Sequence, residues 1–108
     1  PEVFSDGLRH ALTPYLGRDK PNKTFVAEAL GVSPRTLHRR LADEHTNYSE
    51  ILDQTRLMRA ATLLKETDIK LLDIALMLGY ENASSFTRAF RRWAGLPPRA
   101  YRQLHCNA

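Results

Sequence analysis

Two short clusters of side chains carry whatever chemistry this 108-residue chain can do. The first is Arg35, His38 and Arg39, with Ala42 beyond it; the second is Ser84, Thr87 and Arg88, with Arg91 beyond. Spaced by one, three and four positions, each set lies along one side of a helix. Guanidinium groups present a fixed fork of donors to a base edge or a phosphate, and hydroxyl and imidazole groups also reach base edges. No Asp or Glu interrupts either set, so both faces suit an anionic polymer. Charge alone leaves a merely solvated surface equally open. Catalysis is poorly supported. His10, His38, His45 and His105 have no carboxylate or cysteine at metal-ligand spacing beyond the adjacent His105-Cys106, and no glycine-rich loop follows a strand. Neither a metal nor a cofactor is expected.

The net charge of +4 is unevenly placed. Residues 82–108 hold Arg88, Arg91, Arg92, Arg99 and Arg102 with no acid, whereas residues 1–81 hold 11 Lys and Arg against 12 Asp and Glu. An acid-free arginine cluster is what phosphate contact requires, because neutralising phosphates releases condensed counterions. Length, with 43% hydrophobic and 26% charged residues, fits one domain or two small ones sharing a core, and excludes a large two-domain enzyme. The longest apolar runs, such as Ile74 to Leu78, fall far short of the ~20 residues that cross a bilayer. The chain opens at Pro1 with no basic-then-apolar leader, so it reads as a piece of a longer protein. A lone Cys106 can form no internal disulfide, which fits a reducing cytoplasm.

The elements that must position these clusters are helical throughout, and the fold class is all-α. Phe4, Leu8, Leu12 and Tyr15 with Leu16 recur at helical spacing, and so do Ile51, Leu52, Thr55, Met58, Leu63 and Leu64. Pro14 should stop or kink the first helix near Thr13, and Gly17 to Asn22 reads as a loop. A short helix follows from about Lys23 to Leu30, with Gly31 at its end. Ser33-Pro34 then gives a hydroxyl cap and a proline at the first helical position, starting a helix over about 34–44. Asn47 with Glu50 has the form of a capping box for a long helix through Lys65. Leu71 to Leu78 ends at Gly79, Asn82 caps a helix over 83–94, and Pro98 to Leu104 closes the series.

The chain repeats itself. Ala27, Leu30 and Gly31 align with Ala75, Leu78 and Gly79 at an offset of 48, and Ser33, Leu37, Arg39 and Leu41 align with Asn82, Phe86, Arg88 and Phe90 at 49. One residue has been added in the second turn. Each half is a short helix, a glycine turn and a capped longer helix, the form of a helix-turn-helix. A small residue at Ala27 and Ala75 lets the helices cross closely, and Leu37/Leu41 or Phe86/Phe90 bury the back of the second helix, with Trp93 expected in the same core. The organisation expected is a subdomain over 1–46, a linker helix over 47–65 and a second subdomain over 66–108, with about seven helices. A helix from Asn47 to Lys65 is about 28 Å long, comparable with the ~34 Å between successive major grooves on one side of a duplex.

The sequence resembles the AraC/XylS family of bacterial transcription regulators. The resemblance rests on Val32-Ser33-Pro34-Arg35-Thr36-Leu37-His38-Arg39-Arg40-Leu41, on Arg56-Leu57 with Ala60 and Leu63-Leu64, and on Ile74-Ala75 to Leu78-Gly79-Tyr80. It is most specific over Ser84 to Gly95, then Pro97-Pro98 and Tyr101-Arg102, and in all covers about residues 22–104. It implies sequence-specific double-stranded DNA binding, with each second helix entering one of two successive major grooves. The base-contact positions it implies are Arg35, His38, Arg39, Ser84, Thr87 and Arg88. Capping residues and flanking cations supply phosphate candidates: Ser33, Arg40, Asn82, Ser85, Arg91 and Arg92. Arg40 lies near the packed side and is equally placed to cover the core. The family often carries glycine where His45 stands, which implies an adjusted turn, and Asn47 replaces a frequent serine. Members commonly have a sensor or dimerisation domain ahead of this region, and RNA polymerase is a further expected partner. A cytoplasmic, nucleoid-associated location follows. The rival reading is a helical adaptor that keeps the fold and binds protein instead of DNA.

Overall fold

The computed structural model describes residues 4–17 and 22–105, so Cys106 and its pairing with His105 lie outside it. Among the described residues there are seven α-helices and no strand: α1 (Phe4–Leu12), α2 (Lys23–Ala29), α3 (Pro34–Asp43), α4 (Tyr48–Glu66), α5 (Leu71–Met77), α6 (Ala83–Ala94) and α7 (Pro98–His105). Pro14 has no amide hydrogen to continue α1, and the chain tightens there into a 3-10 turn, Thr13–Tyr15. The chain divides into two compact units, residues 1–55 and 56–108, with the division falling inside α4.

In the first unit Leu8, Leu12, Leu16, Val26, Ala27, Leu37, Leu41, Ile51 and Leu52 are buried. Leu8 and Leu12 of α1, and Leu37 and Leu41 of α3, are i,i+4 pairs, so each helix turns one apolar stripe inward. In the second unit Leu57, Ala60, Leu64, Ile74, Ala75, Leu78, Phe86, Phe90 and Pro98 are buried. Phe90 stands at its aromatic centre, with ring centroids 5.8 Å from Phe86, 5.7 Å from Trp93 and 5.2 Å from Tyr101. Two expected members of the apolar pattern are largely outside: Met58 is 50% exposed and Trp93 42%. Trp93 sits in the last turn of α6, its ring packed edge-to-face with Phe90 and the remainder of the residue open to solvent.

Four helix starts carry a side-chain cap, at Ser33, Asn47 and Asn82 as the sequence implies and at Asn22 besides. The side chains of Asn22, Ser33 and Asn82 accept from the amides of Thr24, Thr36 and Ser85 at 2.7, 3.1 and 2.8 Å. Asn47 accepts from the Glu50 amide at 2.9 Å and its own amide group donates to the Glu50 carboxylate at 3.3 Å, closing the box through side chains. Three helix ends share one backbone device. Val32 donates to the carbonyl of Ala27, Thr46 to that of Leu41 and Tyr80 to that of Ala75, all at 2.9–3.0 Å, while the preceding residue donates back to Glu28, Ala42 or Leu76. These are Schellman turns, which need a left-handed residue at their centre. Gly31 (φ 74) and Gly79 (φ 89) supply it without strain; His45 supplies it with φ 61. The turn after α3 is therefore not adjusted for the missing glycine, because its two hydrogen bonds hold the histidine in the glycine conformation.

The start of α1 is fastened to the end of α3. The Ser5 amide donates to both carboxylate oxygens of Glu44, at 3.3 and 3.4 Å, so an acidic side chain neutralises the positive end of α1. Hydrogen bonding by Ser5, chiefly from its side chain and then from its amide, outweighs partial burial and holds the Glu44 carboxyl below the usual carboxylate range; the Phe4 amide and Arg9 assist. The Arg40 guanidinium lies over the Phe4 ring, 5.3 Å from its centroid, and Arg9 donates to Gln54 at 3.1 Å.

Two expected outcomes follow from these contacts. Because folding favours the ionised form of Glu44, its contribution is present above the ordinary glutamate range and is lost as pH falls through the lower folded value. The melting temperature of wild type should exceed that of Glu44→Gln at pH 7, with the gap closing on acidification; a gap that does not vary with pH would refute the carboxylate's role. His45→Gly should raise stability in urea titration by about 1 kcal/mol, the left-handed strain released less the extra freedom of glycine in the unfolded chain. A loss of stability there would mean that the imidazole makes contacts worth more than the strain.

Candidate functional site

Within each unit the buried pair on the second helix decides what its other side offers. Leu37 and Leu41 are fully buried, which leaves Arg35, His38, Arg39 and Ala42 exposed along α3. Phe86, Ala89 and Phe90 are buried, which leaves Ser84, Arg88, Arg91 and Arg92 exposed on α6, with Thr87 and Ser85 half-buried. Arg39 and Arg88 thus occupy matching positions, two residues past the buried Leu37 and Phe86. Among the described residues no acid is recorded in an ion pair with any arginine of these two helices. These guanidinium groups are solvated donors, not half of an internal network.

The phosphate candidates separate into two groups. Arg91 and Arg92 stand exposed on the last turns of α6. Ser85 is half-buried on the first turn of that helix. Ser33 and Asn82 are occupied at least in part by capping, and the Ser33 hydroxyl also donates to Thr36 Oγ1 at 3.1 Å. Arg40 is turned onto Phe4 and covers apolar surface, the second of the two roles the sequence left open for it.

Two residues that shape these surfaces are not among the candidates singled out for the site, although Arg56 belongs to the stretch that carries the resemblance. Lys23, the first residue of α2, lies beside His38 in a cavity of about 160 Å³ that Tyr48 and Ser49 also line, with its ammonium 5.8 Å from the centre of the Tyr48 ring. Arg56 lays its guanidinium over the Tyr80 ring at 5.6 Å, bracing the turn that leads into α6, and its Nε is buried without a hydrogen-bond partner.

Arg102 differs most from the reading by charge. Its Nε donates to the carbonyl of Leu64 at 3.0 Å and its Nη2 to that of Thr67 at 3.1 Å. Both acceptors belong to the end of α4 and the residue after it, where helix carbonyls lack partners and the dipole is negative. One member of the acid-free arginine cluster is therefore a helix clamp. Arg102→Met should lower stability by about 1–3 kcal/mol, because two half-buried carbonyls lose their donor. Denaturant titration checks this, and an unchanged midpoint would show that water replaces the guanidinium without loss.

Comparison with known proteins places the chain among helix-turn-helix domains. A family described as a helix-turn-helix domain matches residues 26–104. The chain is 40% identical over 85 residues to the ornithine utilization regulator of Pseudomonas aeruginosa, covering 79% of this chain and 25% of that protein. It is 37% identical over 98 residues to the transcriptional activator CfaD of Escherichia coli, covering 91% of this chain and 37% of that one. The chain thus spans from a quarter to somewhat over a third of these relatives' length. Among solved structures, a Chromobacterium violaceum transcriptional regulator described as containing an AraC-type DNA-binding domain superposes with a TM-score of 0.81 at 25% identity, over 93% of this chain and 92% of that one.

Proposed function

The chain belongs to the AraC/XylS family of helix-turn-helix transcription regulators, and from that premise we propose that it binds double-stranded DNA in a sequence-specific manner and regulates bacterial transcription. The observation that carries this reading is the duplicate: each unit has a Schellman turn, a capped helix, a fully buried i,i+4 pair behind it, and an exposed arginine at the matching position in front. Such a helix puts its outward side chains into a major groove, where Arg reads guanine bidentately and hydroxyls reach several bases. Arg35, His38 and Arg39 on α3, and Ser84, Thr87 and Arg88 on α6, are the base-reading set. Arg91 and Arg92 neutralise backbone phosphates, and the first-turn amides of α3 and α6 offer donors beside Ser85.

The working division is a reading unit over 1–46, the linker over 47–65 and a reading unit over 66–108, engaging successive grooves of an asymmetric site. In the longer protein of which relatives are examples, a sensor or dimerisation domain precedes this region, RNA polymerase is a contact, and the site of action is the cytoplasmic nucleoid. No helix among the described residues is long and apolar enough to cross a membrane.

Selection of bound duplexes from a random library, followed by titration at several salt concentrations, tests the reading. Log affinity should fall with log salt with a slope of about −0.9 per phosphate neutralised. Arg39→Ala and Arg88→Ala should each cost about 1–3 kcal/mol on the selected site and relax preference at one position. Equal losses on selected and random duplexes would reassign them to phosphate. Absence of duplex binding in dilute buffer would leave the protein-binding adaptor instead.

A further inference from the structure

We propose that Lys70 and Arg99 form a second kind of contact on the second unit, a phosphate-binding site built from no residue of α3 or α6. An open cavity of about 390 Å³ is lined by Asp68, Lys70, Leu71, Arg99 and Arg102. Three cations face it against one carboxylate. Lys70 and Arg99 are exposed, and among the described residues neither side chain has a recorded ion-pair or hydrogen-bond partner. Arg102, held by the Leu64 and Thr67 carbonyls, makes a fixed wall whose charge is partly answered from behind.

The repeat shows what Lys70 gives up. At the offset of 48 it falls on Asn22, and both residues hold the extended backbone of a helix cap, with φ −68 and ψ 123 at Asn22 and φ −66 and ψ 150 at Lys70. Asn22 caps α2 with its side chain, whereas Lys70 makes no cap hydrogen bond to α5. A cation there also opposes the positive end of the helix dipole. Lysine at this position thus weakens the start of α5 in two ways, and the side chain is left for something outside the fold.

The chemistry names the ligand class. Lysine as a point charge and arginine as a fork, carried on two different segments, suit a phosphate oxygen pair. Asp68 in the lining lowers the total and favours a singly charged phosphodiester over a multiply charged small anion. In a helix-turn-helix the first helix crosses the backbone beside the groove that the second one reads, and Lys70 immediately precedes α5, the first helix of the second pair. The site therefore takes a backbone phosphate flanking the recognised bases. This assignment rests on the DNA-binding reading, and free phosphate is the other source of the same chemistry.

The experiment uses the 108-residue chain with Lys70→Asn and Arg99→Gln. Each should lower duplex affinity about tenfold at 0.1 M salt, equally on selected and random sequences, and flatten the log-log salt slope by about one. Lys70→Asn should not lower the melting temperature, since it restores the cap used in the first unit, so weaker binding cannot be charged to unfolding. In parallel, inorganic phosphate is titrated into wild type while the amide resonances of Leu71 and Arg99 are followed by NMR. Unaltered duplex slopes together with a saturable phosphate response that Lys70→Asn abolishes would keep the site and assign it to a free ligand. Unaltered slopes with no response would overturn it. Should wild type bind no duplex at all, the proposed function fails by itself, and the phosphate titration alone decides this site.

Discussion

The rest of the molecule depends on how closely the backbone can return on itself at two alanines. At Ala27 and Ala75 the carbonyl accepts an amide from five residues later, and the intervening residue takes a left-handed turn that only glycine adopts freely. That turn fixes where the next helix begins and in which rotational phase. Once phase is set, Leu37 with Leu41, or Phe86 with Phe90, must face inward, and the arginines two residues past Leu37 and Phe86 must face water. A larger residue at either alanine would push the paired helices apart and rotate the whole outward set. The chemistry on the surface is thus a by-product of a steric requirement underneath it.

Much of this was legible in the chain because its signals are local. Serine, asparagine and proline at helix starts, glycine after the short helices and apolar spacing of four gave every helix to within a residue or two. The two outward faces followed from the same periodicity. What the residues concealed were contacts over long sequence separations. Arg102 and the carbonyls of Leu64 and Thr67 lie more than 30 positions apart, as do Arg40 and Phe4, or Glu44 and Ser5. In each case a charged side chain that counts toward a surface total makes a contact within its own unit.

Trp93 and His45 fail for a different reason. Trp93 has the right phase for the core but stays substantially exposed in the last turn of α6, and phase carries no information about how much of a side chain its neighbours cover. At His45 the residue type argues against a left-handed turn, yet the paired hydrogen bonds from His45 and Thr46 hold it there. Local preference yielded to a turn whose bonds cover the end of α3.

The extra residue in the second turn sets the two units apart more than their likeness suggests. Between the left-handed glycine and the cap stands one residue in the first unit, Val32, and two in the second, Tyr80 and Glu81; the caps themselves differ in φ, −79 at Ser33 and −158 at Asn82. The halves are therefore homologous without being interchangeable parts. From the cap onward the two helices keep one register, four residues from Ser33 to Leu37 and from Asn82 to Phe86, so the added residue alters how each second helix is delivered by its turn and not which of its sides faces outward.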